Sequence, residues 1–147
     1  MGDRVRELFQ KGEDLLGRGD RLAALSSFEK SLNCGNQDPL CRSYVALLSA
    51  AERGEIGRSI NVSEQLVQSA PEEPLLYLNL GKLYLMAGRK AEAVTTLREG
   101  MARRRMPEAE ALLESLGTRK KPVFNFLSRG HFLNKYAGLL LTKLGLR

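Results

Sequence analysis

Side chains that act in catalysis or bind metal ions are few in this sequence of 147 residues. The single histidine is His131, and the two cysteines, Cys34 and Cys41, lie seven positions apart. A structural zinc site needs four cysteine or histidine ligands, usually in two closely spaced pairs, and the sequence contains no such pairs. We therefore predict no metal site and interpret both cysteines as structural thiols.

Motifs for nucleotide binding and nucleophilic catalysis are also incomplete. The segment Gly17-Arg18-Gly19 lacks the third glycine of a dinucleotide-binding loop, and it follows a helical pattern instead of a strand. The sequence has no G-x-x-x-x-G-K-[ST] phosphate loop and no G-x-S-x-G nucleophile motif. The sequence thus predicts no catalytic residue, no cofactor and no enzymatic activity.

Composition points to a helical globular protein. The hydrophobic fraction of 43% is too high for a disordered chain, and the nine aromatic residues and five prolines favour helices over a β-sandwich. The sequence contains no run of about 18 apolar residues, so no membrane span is predicted. The first residues lack the apolar core of a secretion signal, so we expect a cytoplasmic protein.

The net charge of +6 is distributed unevenly along the chain. Residues 1–97 carry 12 basic and 13 acidic side chains, net −1, whereas residues 98–147 carry 11 basic and 4 acidic side chains, net +7. Such a basic segment either marks an anionic partner or keeps a small domain soluble. Nucleic acid and an anionic membrane surface therefore stay open as alternative partners, ranked behind a protein.

Three copies of one unit of about 34 residues organise the chain. Gly19, Gly54 and Gly88 are separated by 35 and 34 positions, and several small or apolar residues recur at the same two intervals. The apolar residues on either side of each glycine follow helical periodicity, so each unit is predicted to be two helices joined by a short turn. The recurring sets are Ala24, Ser59 and Ala93; Leu25, Ile60 and Val94; and Leu32, Val67 and Met101.

Glycines inside the helices indicate close packing between the two helices of a unit. Gly12 and Gly81 lie mid-helix, where glycine costs about 1 kcal/mol relative to alanine. A neighbouring helix that approaches closely would offset this cost, and we expect Ala24 and Ala93 to face these two glycines. Asp20, Asp38 and Glu73 precede predicted helices, where acidic side chains are favourable.

The repeat resembles the tetratricopeptide repeat family. The third unit matches through residues 77–84 together with Gly88, Ala93 and Leu97, and the first through Gly12, Gly19, Ala24 and Phe28. Tyr84 belongs to the same pattern, whereas the second unit has Leu47 and Ala50 in place of the expected glycine and tyrosine. The resemblance implies an all-α, right-handed superhelix with repeats over residues 5–38, 39–73 and 74–106 and a capping helix over 107–116.

The resemblance also implies a concave groove lined by the first helix of each pair. Some members of the family clamp a peptide's terminal carboxylate with basic and amide side chains there, but only Lys82 fits this pattern. The predicted strip is mostly apolar, so we expect it to bind a partner peptide or amphipathic helix, as a scaffold or adaptor does. Alternatively, a register shifted by one residue would bury these side chains between the hairpins. The strip comprises Phe9, Glu13, Leu16, Tyr44, Leu48, Leu78, Lys82 and Leu85.

Residues 118–147 are predicted to be a basic linker followed by an amphipathic helix. Phe132, Leu133, Tyr136, Leu139, Leu140 and Leu144 form an apolar stripe at helical spacing. Residues 123–146 are expected to cap the solenoid, to dock in the chain's own groove, to bind a membrane or partner, or to pair two copies into a homo-oligomer.

Overall fold

A computed structural model describes residues 2–117, and every regular element within them is an α-helix. This confirms the all-α class, whereas the linker and helix predicted over 118–147 lie outside the described residues. Residues 1–113 form one compact unit, and the helical pairs belong to it. The predicted domain boundary at residue 117 stays a prediction. The seven helices of the described part are α1 (Gly2–Gly17), α2 (Arg21–Asn33), α3 (Pro39–Arg53), α4 (Ile56–Ser69), α5 (Pro74–Met86), α6 (Lys90–Arg103) and α7 (Pro107–Ser115).

The helices pack as consecutive hairpins. Helix α1 packs on α2, α3 on α4 and α5 on α6, and neighbouring hairpins meet where α2 contacts α3 and where α5 contacts both α3 and α4. Each hairpin has apolar side chains on two sides, so a neighbour is needed to bury them. The predicted units of about 34 residues therefore correspond to the observed hairpins.

The glycine within each hairpin has the backbone conformation that ends the first helix. Gly19, Gly54 and Gly88 have φ angles of 81°, 73° and 72°, in the left-handed region where side chains are rarely tolerated. After Gly88, the backbone N–H of Arg89 donates to the carbonyl oxygen of Tyr84 at 2.8 Å. The predicted turns are confirmed.

The three predicted acidic residues cap the helices that follow them. Asp20 accepts a hydrogen bond from the backbone N–H of Ala23 at 3.1 Å, and Asp38 accepts one from Leu40 at 2.9 Å. Glu73 accepts one from the backbone N–H of Leu75 at 3.2 Å. These bonds satisfy helix-terminal N–H groups, and proline fits the first position of α3 and α5 because its missing donor is not needed there.

Within residues 2–117, two clusters of buried apolar side chains lie between successive helices. The first joins α2 to α3, with side chains of α1 packed against it, and the second joins α3, α4, α5 and α6. Consecutive hairpins are thus held together by shared buried side chains, as stacked repeats require. The buried members are Ala24, Leu25, Phe28, Cys41 and Leu48 in the first cluster and Leu47, Ala50, Ile60, Leu80, Leu83, Tyr84 and Ala93 in the second.

Close approach at the mid-helix glycines is confirmed, and the nearest side chains are larger than the predicted alanines. A Cβ atom at Gly12 would stand 2.6 Å from Phe28 Cε1, and one at Gly81 would stand 2.7 Å from Leu97 Cδ2. Phe28 and Leu97 each lie one helical turn beyond the alanine expected there. The glycines therefore accommodate large core side chains, and the facing positions of Ala24 and Ala93 stay a prediction.

Candidate functional site

An open groove of about 710 Å³ runs along the inner helices, which are α1, α3, α5 and α7. We call it the inner groove. Its wall also includes Gly19 and Arg21, from the turn between α1 and α2 and the start of α2. Seven of the eight residues predicted for the concave strip line it: Glu13, Leu16, Tyr44, Leu48, Leu78, Lys82 and Leu85.

The lining side chains differ in how far they reach into the groove. Leu48 and Leu78 are 2% and 4% exposed and form a buried floor. Leu16, Tyr44 and Leu85 are half-buried and offer apolar surface to a ligand. Part of the predicted strip is therefore buried, and the role of these residues in binding stays a prediction.

Phe9, the eighth predicted residue, packs beside the groove and not along it. Its ring lies 5.5 Å from that of Phe28 and 6.2 Å from that of Tyr44, measured between centroids. Phe28 and Tyr44 stack at 4.9 Å with their planes 14° apart. Phe9 thus supports the first core cluster and fixes Tyr44, whose other side lines the groove.

Lys82, the basic residue of the predicted strip, is already paired. Its Nζ lies 2.6 Å from Glu108 Oε1, so that an ion pair connects α5 to α7. The lysine side chain is 26% exposed and the glutamate side chain 60% exposed. Neither Glu108 nor the pair was predicted, because the partners lie 26 positions apart and no local spacing signals such a contact.

Several carboxylates lie near Tyr44. Burial is the main reason that the pKa of Tyr44 rises to about 12, and the charges of Glu13, Glu108, Glu73 and Asp38 all add to the rise. Burial also raises the pKa of Glu13, with further contributions from Asp14 and Asp38. Four carboxylates therefore lie close enough to Tyr44 for their charges to act on its hydroxyl group.

Asn79, another polar residue of the groove wall, is satisfied within the protein. Asn79 donates a hydrogen bond from Nδ2 to Ser43 Oγ at 3.1 Å, and both side chains are buried. Asn79 thereby links α5 to α3 below the groove floor. No local spacing indicates this pair, because the two residues lie on different repeats.

Within residues 2–117, no three histidine, cysteine, aspartate or glutamate side chains are placed to hold a metal ion together. Cys34 and Cys41 are free cysteines, half-buried and buried respectively. Across the same span, none of the helices combines the length and apolarity needed to cross a membrane. His131 lies outside the described residues.

Comparison with known proteins agrees with the hairpin architecture. Residues 50–116 match the family model described as tetratricopeptide repeat. A solved structure of the TPR2AB domain of yeast Sti1 in complex with pHSP90 superposes with a TM-score of 0.61 at 13% sequence identity. The match covers 79% of this chain but 47% of that chain, so this chain spans about half the length of its structural relative. No curated protein sequence matches this one.

The fold defines a protein of stacked helical hairpins with an open groove along their inner helices. Residues 50–116 match the tetratricopeptide repeat model, and the structural match shows the same fold of stacked helical hairpins. The resemblance seen in the sequence is thus confirmed. Handedness of the superhelix stays a prediction.

Proposed function

We propose that this chain is a non-catalytic adaptor that binds a peptide or helix of a partner protein in the inner groove. The observation that carries the proposal is that the first helices of all three hairpins together form the groove wall. Each of the three hairpins contributes its first helix, and α7 continues the wall with Leu112. Tetratricopeptide repeats serve in general as protein–protein interaction modules, which supports a protein partner.

The chemistry of the groove favours binding over catalysis. Leu16, Tyr44 and Leu85 offer partly exposed apolar surface, and fully burying such a side chain contributes about 1.5–3 kcal/mol. Lys82 is held by Glu108, so it is not poised as a base or nucleophile. Burial of apolar area therefore provides the main driving force for a ligand.

The structural relative supports a protein partner. The TPR2AB domain of Sti1 is described in complex with pHSP90, so the same fold holds a protein ligand in that case. At 13% identity, this likeness supports the kind of ligand and not its identity. The cytoplasmic location predicted from the sequence is part of the proposal.

The test compares two leucine variants in the binding of designed amphipathic peptides to the full chain. Leu85→Glu places a charge on the groove wall, whereas Leu22→Glu alters a side chain that is 65% exposed on α2 and outside the groove. Leu78 is a poor choice, because truncating a buried leucine costs about 2–5 kcal/mol of stability.

We expect Leu85→Glu to weaken peptide binding about tenfold or more, equivalent to about 1.4 kcal/mol, with Leu22→Glu unchanged. Circular dichroism and thermal unfolding establish that both variants remain folded. Binding that survives Leu85→Glu, or that is lost equally in Leu22→Glu, would contradict the groove as the binding site.

A further inference from the structure

The carboxylates around the inner groove occupy repeated positions. Asp38 and Glu73 immediately precede α3 and α5, and Glu108 is the second residue of α7. Glu13 lies in the groove wall on α1. Three of the four thus mark the starts of successive inner helices, which puts negative charge at corresponding places along the groove.

Two cations, Lys82 and Arg21, line the groove together with Glu13 and Glu108. Lys82 is engaged by Glu108, and Arg21 lies beside the turn between α1 and α2. In residues 2–117, Glu13 forms no ion pair, and Asp38 and Glu73 use their oxygens only for helix capping. Among the described residues, Arg21 is therefore the lining cation that takes part in no ion pair, whereas Glu13, Asp38 and Glu73 are three carboxylates outside ion pairs.

The groove also selects the backbone conformation of its ligand. An extended peptide carries backbone N–H and C=O groups that need partners, and burying such a group without one costs roughly 1–3 kcal/mol. The wall consists of helices whose backbone bonds are internal, and Asn79 already donates to Ser43. An α-helix satisfies its own backbone, so it fits an apolar wall better.

The volume of the groove limits how a helix sits in it. A helix is about 10–12 Å across and rises about 5.4 Å per turn, so each turn occupies on the order of 500 Å³. The groove of about 710 Å³ therefore receives one face of a helix over several turns and does not enclose it. The flanks of that face remain near the groove rim.

Building on the proposed function, we infer that the inner groove takes an amphipathic helix whose apolar stripe is flanked by lysine or arginine. Leu16, Tyr44 and Leu85 meet the stripe, and Glu13 on the groove wall meets the basic flank. Asp38 and Glu73, at the starts of α3 and α5, add negative charge near Tyr44. A peptide with an acidic flank or a terminal carboxylate is disfavoured, because Lys82 is neutralised by Glu108.

The experiment uses two fluorescent peptides of about 18 residues, or five helical turns. They share one leucine stripe and differ only in carrying lysine or glutamate on its flanks. Fluorescence anisotropy measures the binding of each to the full chain. The chain has a net charge of +6, so non-specific attraction favours the glutamate peptide and works against the expected result.

We expect the lysine peptide to bind about threefold to tenfold tighter, as two or three exposed ion pairs would allow. The difference should shrink as salt is raised to about 1 M, where the Debye length falls to about 3 Å. Glu13→Gln should weaken the lysine peptide about twofold to threefold. The matched variant Glu7→Gln, on α1 outside the groove, should leave it unchanged.

The possible outcomes separate this inference from the proposed function. Equal binding of the two peptides, or tighter binding of the glutamate peptide, overturns the basic-flank inference while loss of both in Leu85→Glu still supports the groove. Binding that Leu85→Glu does not affect overturns the groove itself. Absence of binding by both peptides overturns both proposals.

Discussion

The ring of Phe28 fills the space that a side chain at Gly12 would need. A Cβ atom built on Gly12 would lie 2.6 to 2.8 Å from three carbon atoms of that ring. Phe28 is 0% exposed and contacts both Phe9 and Tyr44, so it has no free space to move into. The first hairpin therefore depends on the missing side chain of Gly12 for the spacing of α1 and α2.

The first prediction follows from this contact. Gly12→Ala should lower the free energy of unfolding by up to about 2 kcal/mol, because overpacking outweighs the gain of about 1 kcal/mol in helix propensity. Urea unfolding measures the change. Gly57→Ala is the control, since nothing lies within 4 Å of a Cβ there, and it should be neutral or stabilising. Equal stability of the two variants would contradict the packing account.

The second prediction is that an alanine substitution costs more stability at Gly100 than at Gly81. A Cβ atom at Gly100 would stand 2.7 Å from Tyr77 Cβ and 3.3 Å from the carbonyl oxygen of Pro74, and neither atom can move without the backbone of α5. At Gly81 the neighbour is the end of the Leu97 side chain, which can change rotamer. Gly100→Ala should therefore cost more, toward the upper end of about 1–3 kcal/mol. Urea unfolding of both variants tests the order, and a larger loss in Gly81→Ala would refute it.

The third prediction concerns Cys41, whose thiol is buried and lies 3.6 Å from the carbonyl oxygen of Phe28. Burial raises the pKa of Cys41 to about 11 from its ordinary value of 9.0. A raised folded-state pKa contributes stability that is complete below about pH 9 and is lost as the pH rises through 11. The loss of unfolding free energy between these pH values should be smaller in Cys41→Ala than in Cys34→Ala.

Thiol labelling provides an independent check of the same residue. Half-buried Cys34 should react with iodoacetamide in the native protein, whereas Cys41 should react only at the rate of unfolding. Peptide mapping after timed quenching distinguishes the two sites. Rapid native labelling of Cys41 would show that the interface between α2 and α3 is open.

The fourth prediction reverses the charge preference of the groove. Glu108→Gln removes the partner of Lys82 and leaves a free ammonium in the wall. The glutamate-flanked peptide should then bind about twofold to fivefold tighter, with a stability change below about 1 kcal/mol. Glu110→Gln is the matched control on the same helix, because it breaks the pair with Arg105 outside the groove. An unchanged peptide preference in Glu108→Gln would mean that Lys82 does not face the ligand.

Local features of the fold were predictable from the sequence because each depends on residues close in the chain. The turns at Gly19, Gly54 and Gly88 follow from conformational freedom, and the cap at Asp38 follows from its place before a helix. Apolar periodicity and the repeat interval then gave the hairpins. Once these intervals were known, most of the positions that line the groove on the inner helices could be predicted as well.

Contacts between helices were less predictable, because side-chain length and direction decide them. The register of a hairpin gave Ala24 as the neighbour of Gly12, but the longer side chain of Phe28 reaches it from one turn further. Phe9 lies on the same face of α1 as residues that line the groove. Its ring nevertheless packs against the stacked rings of Phe28 and Tyr44 and does not line the groove. The pair of Lys82 and Glu108 depends on how α7 meets α5.

Amide chemical shifts of the full chain, titrated with the lysine-flanked peptide, test the central claim most directly. If a helix binds in the inner groove, the largest shift changes should fall on α1, α3, α5 and α7, centred on Leu16, Tyr44 and Leu85. Changes concentrated on α2, α4 and α6 with the inner helices unaffected would contradict the account.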